Sequence, residues 1–314
     1  MYIKQVTKWN FYKNSNFYNF DVLIGLQESE IGFMQIFPMN KYKSSIYLTE
    51  KIAFSSTRKH TLTNNGQEYC NYTNMNRGDV DWQKFILFID EKYKNQEKVK
   101  INCFGCSDGS EPYTLAIHLI NQLGADNAQK FLPIDAFDLS ENLIKEAIEG
   151  KILLHNKDID FIKKNNVSKF FKRDYTRQIQ NMRNIDFYPF VISDELRKCV
   201  NFSVGDINTK AKEQNFSNKI ILFRNGWTFN DLKAQNMLAK NLFNSSNENT
   251  TILIGQSDLF KSSASDFLQL SGFKGLNSDI FTGTESDYPS ESIGQPIIGN
   301  VFQQYILFCK TKNK

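Results

Sequence analysis

The sequence of 314 residues lacks the long apolar run that a membrane-spanning helix requires. Its longest purely apolar runs are short, such as residues 220–223. The residues that follow Met1 lack the apolar core of a secretory signal peptide. The five cysteines are odd in number and dispersed, which is typical of reduced thiols. These absences predict a cytoplasmic protein that does not insert into a membrane.

The sequence also lacks a strong excess of charge of one sign. Its 38 Lys and Arg residues oppose 34 Asp and Glu residues, and the formal net charge is +4. A protein that binds nucleic acid is expected to have basic blocks with interleaved aromatic residues. No such block is present. Nucleic acid is therefore not an expected partner.

Histidine is scarce, and its three positions, His60, His118 and His155, are scattered along the chain. Cys103 and Cys106 form a CxxC pair with three interpretations: a redox pair, half of a zinc site, or two small residues beside a tight turn. A zinc site requires a second Cys or His pair at close spacing. We therefore predict no metal and favour the third interpretation.

The most informative stretch that is present is residues 105–114, which read GCSDGSEPYT. Apolar residues alternate over residues 99–103, as in a half-buried strand, and recur at helical spacing over residues 115–123. A glycine-rich turn therefore joins the end of a strand to the start of a helix. Gly105 and Gly109 allow the backbone to approach a ligand closely, and the free N–H groups of the turn face its polar atoms.

Strand and helix patterns continue to alternate, which predicts an α/β fold with a doubly wound, mostly parallel sheet. Polar residues follow each of four strands: Ser107-Asp108, Asp138, Asp206 and Arg224-Asn225. In such sheets, ligands bind beyond the carboxyl ends of the strands. These four strand ends are therefore expected to converge on one crevice.

The motifs of the common nucleotide sites are missing, since neither GxGxxG nor GxxxxGK[ST] occurs. Asp138 is interpreted as a ribose ligand, with a helix cap as the alternative. Asp206-Ile207 is interpreted as an adenine site, with an ordinary strand-end turn as the alternative. An adenosine compound without a pyrophosphate satisfies these residues, and S-adenosylmethionine fits.

A serine hydrolase is the rival interpretation, because residues 105–109 also match the GxSxG nucleophile motif. That enzyme class requires a catalytic histidine late in the chain. No histidine follows His155, so the hydrolase interpretation is disfavoured.

Residues 1–68 are expected to form an aromatic-rich, irregular N-terminal region, and residues 69–314 a second domain. A hairpin is expected between Phe20 and Phe37. Residues 151–199 are charged and unevenly aromatic, and they are expected to form a small inserted subdomain.

The chain resembles the CheR-type chemotaxis-receptor glutamate methyltransferases over roughly residues 69–260, with a final strand at 301–309. The family motif GCSTGEEPYS is similar to residues 105–114 here, and the family's FCRN segment is similar to residues 223–225. A family N-x-T-x-x-x-R pattern matches Asn71, Thr73 and Arg77. The resemblance implies a class I methyltransferase of Rossmann-like fold that uses S-adenosylmethionine and acts on a protein, such as the cytoplasmic domain of a chemoreceptor.

The resemblance also implies roles for individual residues. The turn with Gly105 and Ser107 would hold the cofactor, and Glu111 would bind its amino-acid end. The ribose would lie at Asp138, and the adenine at Asp206 and Ile207. Arg224 and Asn225 would line the entrance of the cofactor and the substrate. Arg77 would lie near the methyl donor and the incoming carboxylate, and the region 151–199 would dock receptors.

Three departures from the family leave the acceptor open. Phe229 stands where the family usually has a tyrosine, Ser110 replaces an acidic residue, and the N-terminal region lacks the family's basic helices. The alternatives are a methyltransferase with another acceptor and a non-catalytic adaptor that binds the cofactor. For Arg77 the alternative is a surface or structural ion pair.

Overall fold

The computed structural model describes residues 3–13, 16–25, 75, 77–182, 185–276, 280 and 305–310. The chain divides into two compact units, Met1–Ser55 and Ser56–Lys314. The expected boundary at residue 68 and the segment 26–37 lie outside the described residues. The first unit contains an antiparallel pair of strands, β1 (Ile3–Lys13) and β2 (Asn16–Gly25).

The prediction for the N-terminal region was therefore wrong over residues 3–25. We expected an irregular start and a later hairpin, but the strand pair begins at Ile3 and places Trp9 opposite Phe20. The regular alternation of apolar and polar residues by which we recognised strands is missing from residues 3–25. Aromatic and β-branched residues favour strands even without it, and this signal was overlooked.

The strands of the second unit follow in chain order. They are β3 (Lys100–Phe104), β4 (Ile134–Asp138), β5 (Lys151–Leu154), β6 (Phe171–Arg173), β7 (Gln180–Met182), β8 (Ile185–Ile192), β9 (Val200–Val204), β10 (Lys219–Phe223), β11 (Thr251–Ile254), β12 (Phe273–Gly275) and β13 (Leu307–Lys310). The helices are α1 (Trp82–Lys92), α2 (Ser110–Ala128), α3 (Glu141–Ile148), α4 (Asn156–Lys164), α5 (Asp194–Arg197), α6 (Ile207–Glu213), α7 (Leu232–Asn244), α8 (Gln256–Lys261) and α9 (Ala264–Leu270).

Seven strands form one sheet in the order β12-β13-β11-β10-β3-β4-β9. The pairs from β11 to β9 are parallel, whereas β13 runs antiparallel to both of its neighbours. The predicted doubly wound, mostly parallel α/β sheet is thus confirmed. Because β3 lies between β4 and β10, the strand order reverses at β3. A ligand crevice is expected at the carboxyl end of this strand.

The core of this sheet is apolar on both faces. Ile101, Ile220 and Ile252 are fully buried at the centres of three adjacent strands, and Phe104 stacks on Phe137 with ring centroids 4.9 Å apart. Burial on both faces explains why β10 and β11 read as short, continuous apolar runs. The expectation of a half-buried β3 was wrong, because Asn102 between its apolar residues is also buried.

Two local signals set the ends of α3. The Ser140 hydroxyl accepts a hydrogen bond from the Leu143 N–H at 3.3 Å, which caps the start of the helix. Gly150 follows the end with φ of 68°, a conformation that glycine adopts without strain. Gly124 breaks α2 with φ of 77° and ψ of 159°, and a further turn follows.

Residues 151–199 contain a separate antiparallel sheet, in which β8 pairs with β5, β6 and β7. Its α4 buries Phe161 and Ile162 in the main core cluster. The region is therefore packed onto the catalytic fold as well as onto itself.

His118 on α2 lies between this region and α1. Its ring stacks on Trp82 with centroids 6.1 Å apart and lies 5.4 Å from the ring of Phe161. Its Nε2 atom is buried without a hydrogen-bond partner among the described residues. Burial lowers the pKa of His118 from 6.5 to about 4.

This shift predicts a pH dependence of stability. Between pH 6.5 and 4 the unfolded chain binds a proton at His118 that the folded chain does not bind. The free energy of unfolding therefore decreases as the pH is lowered through this range. At pH 5 the loss is roughly 2 kcal/mol relative to pH 7. In His118→Phe, urea unfolding at pH 5 and 7 should show a pH-dependent loss smaller by this amount; an unchanged loss would contradict the assignment.

Candidate active site

The turn between β3 and α2 is built from three residues in the left-handed region. Gly105, Ser107 and Gly109 have φ values of 67°, 52° and 86°. A Cβ atom at position 109 would lie 2.8 Å from the Phe202 ring, so the close packing there excludes any larger residue. The turn brings its backbone to the carboxyl end of β3, where the strand order reverses.

Asp138 at the end of β4 is tied to this turn. Its carboxylate accepts hydrogen bonds from the N–H of Ser107 at 2.8 Å and from the N–H of Ser140 at 3.0 Å. Burial raises the pKa of Asp138, and the backbone N–H donors oppose that rise. The side chain that caps α3 is that of Ser140. The interpretation of Asp138 as a ribose ligand beside the glycine turn therefore stays a prediction.

Asp206 follows β9 and forms hydrogen bonds within its own loop. Its carboxylate accepts from the Asn208 N–H at 3.0 Å and caps α6. Ile207 is buried in the core. These contacts match the strand-end turn that was the alternative interpretation, and they leave adenine binding at this loop a proposal.

The loops after β9 and β10 meet through a side-chain contact. Asn208 Nδ2 donates to Asn230 Oδ1 at 3.2 Å. Strands β4 and β3 separate β9 from β10 in the sheet. This hydrogen bond therefore joins loops from either side of the point where the strand order reverses.

Arg224 at the end of β10 lies in a buried ion-pair cluster. Its guanidinium donates to Glu111 Oε2 at 2.6 Å and to the carboxylate of Asp79, and its side chain is 2% exposed. The ring of Trp82 lies 5.0 Å from Arg224 Cζ. Burial without a partner would cost a guanidinium several kcal/mol, so the two carboxylates stabilise its charge.

Asn225 takes a left-handed conformation, with φ of 58°, and its side chain accepts from the Ser257 N–H at 3.0 Å. Asp258 accepts from the N–H groups of Asn225, Trp227 and Gly255. Burial raises the pKa of Asp258 to about 7. Asn225 thus fixes the loops after β10 and β11, and its predicted contact with the cofactor stays a prediction. Asp258 was not among the predicted site residues.

Residue 75 and residues 77–81 contact the elements at this edge of the sheet through Met75 and Asp79. The carbonyl of Met75 accepts from the Thr114 hydroxyl. Asp79 accepts from Arg224 and from the Gln256 N–H, the latter at 3.0 Å. Arg77 is half-buried between these two anchors. Our sequence reasoning missed Asp79, and its position two residues after Arg77 was the only available signal.

The structure brings two pairs of the predicted residues into contact. The Ser107 N–H donates to Asp138, and Arg224 pairs with Glu111. Asp79, two residues after Arg77, joins the second pair. Cys103 and Cys106 are buried free thiols behind the turn, and burial raises the pKa of both.

The chemistry of this edge fits S-adenosylmethionine. The carboxylates of Glu111 and Asp138 accept hydrogen bonds, as an ammonium group and ribose hydroxyls require. A Cβ atom at Gly105 or Gly109 would face Phe223 or Phe202, so these glycines allow close packing of the turn against the protein and not, as we had expected, the approach of a ligand. Among the described residues, no group of three or more His, Cys, Asp or Glu side chains is placed to hold a metal ion. Within the same ranges, no helix has the length and apolar character needed to cross a membrane.

Comparisons with known proteins agree with this geometry. Residues 71–275 match the model of the family described as "CheR methyltransferase, SAM binding domain". A "Chemotaxis protein methyltransferase" of Borreliella burgdorferi is 28% identical over 254 residues, which cover 79% of this chain and 77% of the relative.

Two solved structures are similar to this chain at a lower level. A TehB-like SAM-dependent methyltransferase from Corynebacterium glutamicum has 12% identity and a TM-score of 0.37, with 74% of this chain and 89% of the other covered. A S-adenosylmethionine-dependent methyltransferase from Clostridium acetobutylicum has 16% identity and a TM-score of 0.30, with coverage of 65% and 59%.

The fold, the glycine turn and the family match define a class I methyltransferase that uses S-adenosylmethionine. More narrowly, the chain belongs to the CheR methyltransferase family.

Proposed function

We propose that this methyltransferase esterifies glutamate carboxylates on a protein acceptor, such as the cytoplasmic domain of a chemoreceptor. The observation that carries the proposal is the ion pairing of Asp79, two residues after Arg77 in the chain, with Arg224, which also pairs with Glu111 after the glycine turn. The name of the Borreliella burgdorferi relative, a chemotaxis methyltransferase, supports the choice of acceptor.

Methyl transfer to a carboxylate needs little acid or base catalysis from the protein. S-adenosylmethionine supplies a methyl group on a positively charged sulfur. A glutamate side chain is already ionised near neutral pH, so no strong general base is needed. The protein has to align the carboxylate and remove its water. Arg77 suits this task because a guanidinium holds a carboxylate through two parallel N–H groups and remains charged.

The remaining residues would hold the cofactor. In this proposal Glu111 accepts from its ammonium group and Asp138 from its ribose hydroxyls. Gly105 and Ser107 present the backbone of the turn, and Arg224 fixes the orientation of Glu111. The loop of Asp206 and Ile207 and the side chain of Asn225 border the same crevice.

The test of the function is transfer of a labelled methyl group from S-adenosylmethionine to a chemoreceptor fragment, followed by alkali. Release of labelled methanol identifies a methyl ester and supports the proposal. Label that survives alkali would indicate a different acceptor group. Cofactor binding without turnover on any acceptor would indicate an adaptor and would contradict the proposed activity.

Asp138→Ala is expected to weaken cofactor binding by roughly 1.5–3 kcal/mol, because two hydrogen bonds to a charged acceptor are lost. Calorimetry with S-adenosylmethionine measures the effect. Asp135→Ala is the matched control, since Asp135 lies on the same strand three residues before the carboxyl end. Equal affinities in the two variants would remove Asp138 from the cofactor site.

A further inference from the structure

Asp79, Glu111 and Arg224 form a buried cluster, here called the acidic triad, that contains two carboxylates and one guanidinium. The exposed fractions of their side chains are 6%, 13% and 2%, respectively. Its formal charge is −1 when all three groups are ionised. One negative charge therefore remains without a counterion inside the cluster.

The other described contacts of the acidic triad are with neutral groups. The second oxygen of Asp79 accepts from the Gln256 N–H, and Glu111 Oε1 accepts from the Cys103 thiol at 3.4 Å. Burial raises the pKa of Cys103, so the thiol stays protonated. The remaining side of the guanidinium faces the Trp82 ring.

Among the described residues, Arg224 is the cation that pairs with Asp79 and Glu111. Arg77 is the nearest cation along the chain, but it is half-buried, and contact with water weakens its field. Asp138 and Asp258 are also carboxyl groups at this edge of the sheet, and they add no positive charge. A buried charge interacts over a longer distance than an exposed one because water and salt screen it less.

The two ligands of a methyltransferase differ by one unit of charge. S-adenosylmethionine carries a sulfonium, an ammonium and a carboxylate, and its net charge is +1. The demethylated product is a thioether with a net charge of zero. A site with excess negative charge therefore favours the donor relative to the product.

We propose that Asp79 is a specificity-determining residue: its charge makes the acidic triad net negative and raises the affinity for the methyl donor relative to that for the demethylated product. This inference rests on the proposed placement of the cofactor beside Glu111. Asp79 acts through the charge of the triad and does not need to touch the ligand.

The test is calorimetry of both ligands with the wild type, Asp79→Asn and Asp81→Asn. Asparagine keeps the shape and can still accept a hydrogen bond, so the first variant removes mainly the charge. Asp81→Asn is the matched control, because Asp81 is on the same segment but caps α1 and pairs with the exposed Lys84. The ratio of donor affinity to product affinity should fall about tenfold in Asp79→Asn and less than twofold in Asp81→Asn.

Glu111→Gln is the second variant, and it removes a charge from the triad without altering the segment 75–81. The same fall in the ratio is expected, so the test remains decisive if Asp79→Asn does not fold. Equal losses for donor and product in these variants would mean a structural role and would overturn the proposal, as would an unchanged ratio. If neither ligand binds to the wild type, the proposed cofactor site fails instead.

Discussion

Arg77→Ala is expected to lower the rate of methyl transfer about 30- to 150-fold while the affinity for S-adenosylmethionine stays nearly unchanged. The fold-change corresponds to roughly 2–3 kcal/mol, the value of a charge-assisted hydrogen bond that is used in the transition state. Anchors at Met75 and Asp79 hold the segment on both sides of Arg77, so the substitution should leave the segment in place.

Alkali-released methanol and calorimetry measure the two quantities separately. Arg77→Lys should restore little activity, because lysine offers a point charge and lacks a planar pair of donors. Lys94→Ala, just after α1, is a control that also removes a cation from an ion pair, and its activity should equal that of the wild type. Unchanged methanol release in Arg77→Ala would favour the alternative of a surface or structural ion pair.

Arg224→Ala is expected to destabilise the protein by about 3–5 kcal/mol, because it leaves the carboxylates of Asp79 and Glu111 buried without a counterion. Urea unfolding measures the loss. Lys94→Ala serves again as the control, since the pair of Lys94 with Glu91 is largely exposed and should contribute little.

A second substitution tests the cause of this destabilisation. Adding Asp79→Asn to Arg224→Ala removes one of the uncompensated charges, so part of the lost stability should return. If the double variant is less stable than Arg224→Ala, the guanidinium matters mainly through packing against Trp82. A loss below about 1 kcal/mol in Arg224→Ala would show that the acidic triad tolerates an unpaired charge.

The sheet was predictable because its strands are buried on both faces. The strands are continuous apolar runs, such as residues 220–223, whereas the helices between them have apolar residues at helical spacing. This difference can be seen within a few neighbouring residues of the sequence. The ends of α3 were predictable for the same reason, since Ser140 and Gly150 act within a few residues of themselves. The hairpin of β1 and β2 was missed because its strands lack a regular apolar alternation.

The candidate site was predicted only in part. The polar residues at the strand ends were found from their positions, but their partners were not. The side chains of Asp206 and Asn225 accept hydrogen bonds from backbone N–H groups of the protein itself. Position in the sequence does not distinguish such contacts from contacts with a ligand. Asp258 and Asp79 were missed altogether, because a buried carboxylate and an exposed one look alike in a sequence.

The sequence by itself determined the local parts of this protein: the glycine turn, the helix caps and the succession of strands and helices. These features depend on residues a few positions apart, so they can be predicted from the sequence without knowledge of the fold. Only the tertiary structure decided which charges meet. Arg224 lies 145 residues from Asp79 and 113 from Glu111, and the order of the strands alone brings them together. Burial then gives the three charges their strength, because an ion pair removed from water must be satisfied within the protein.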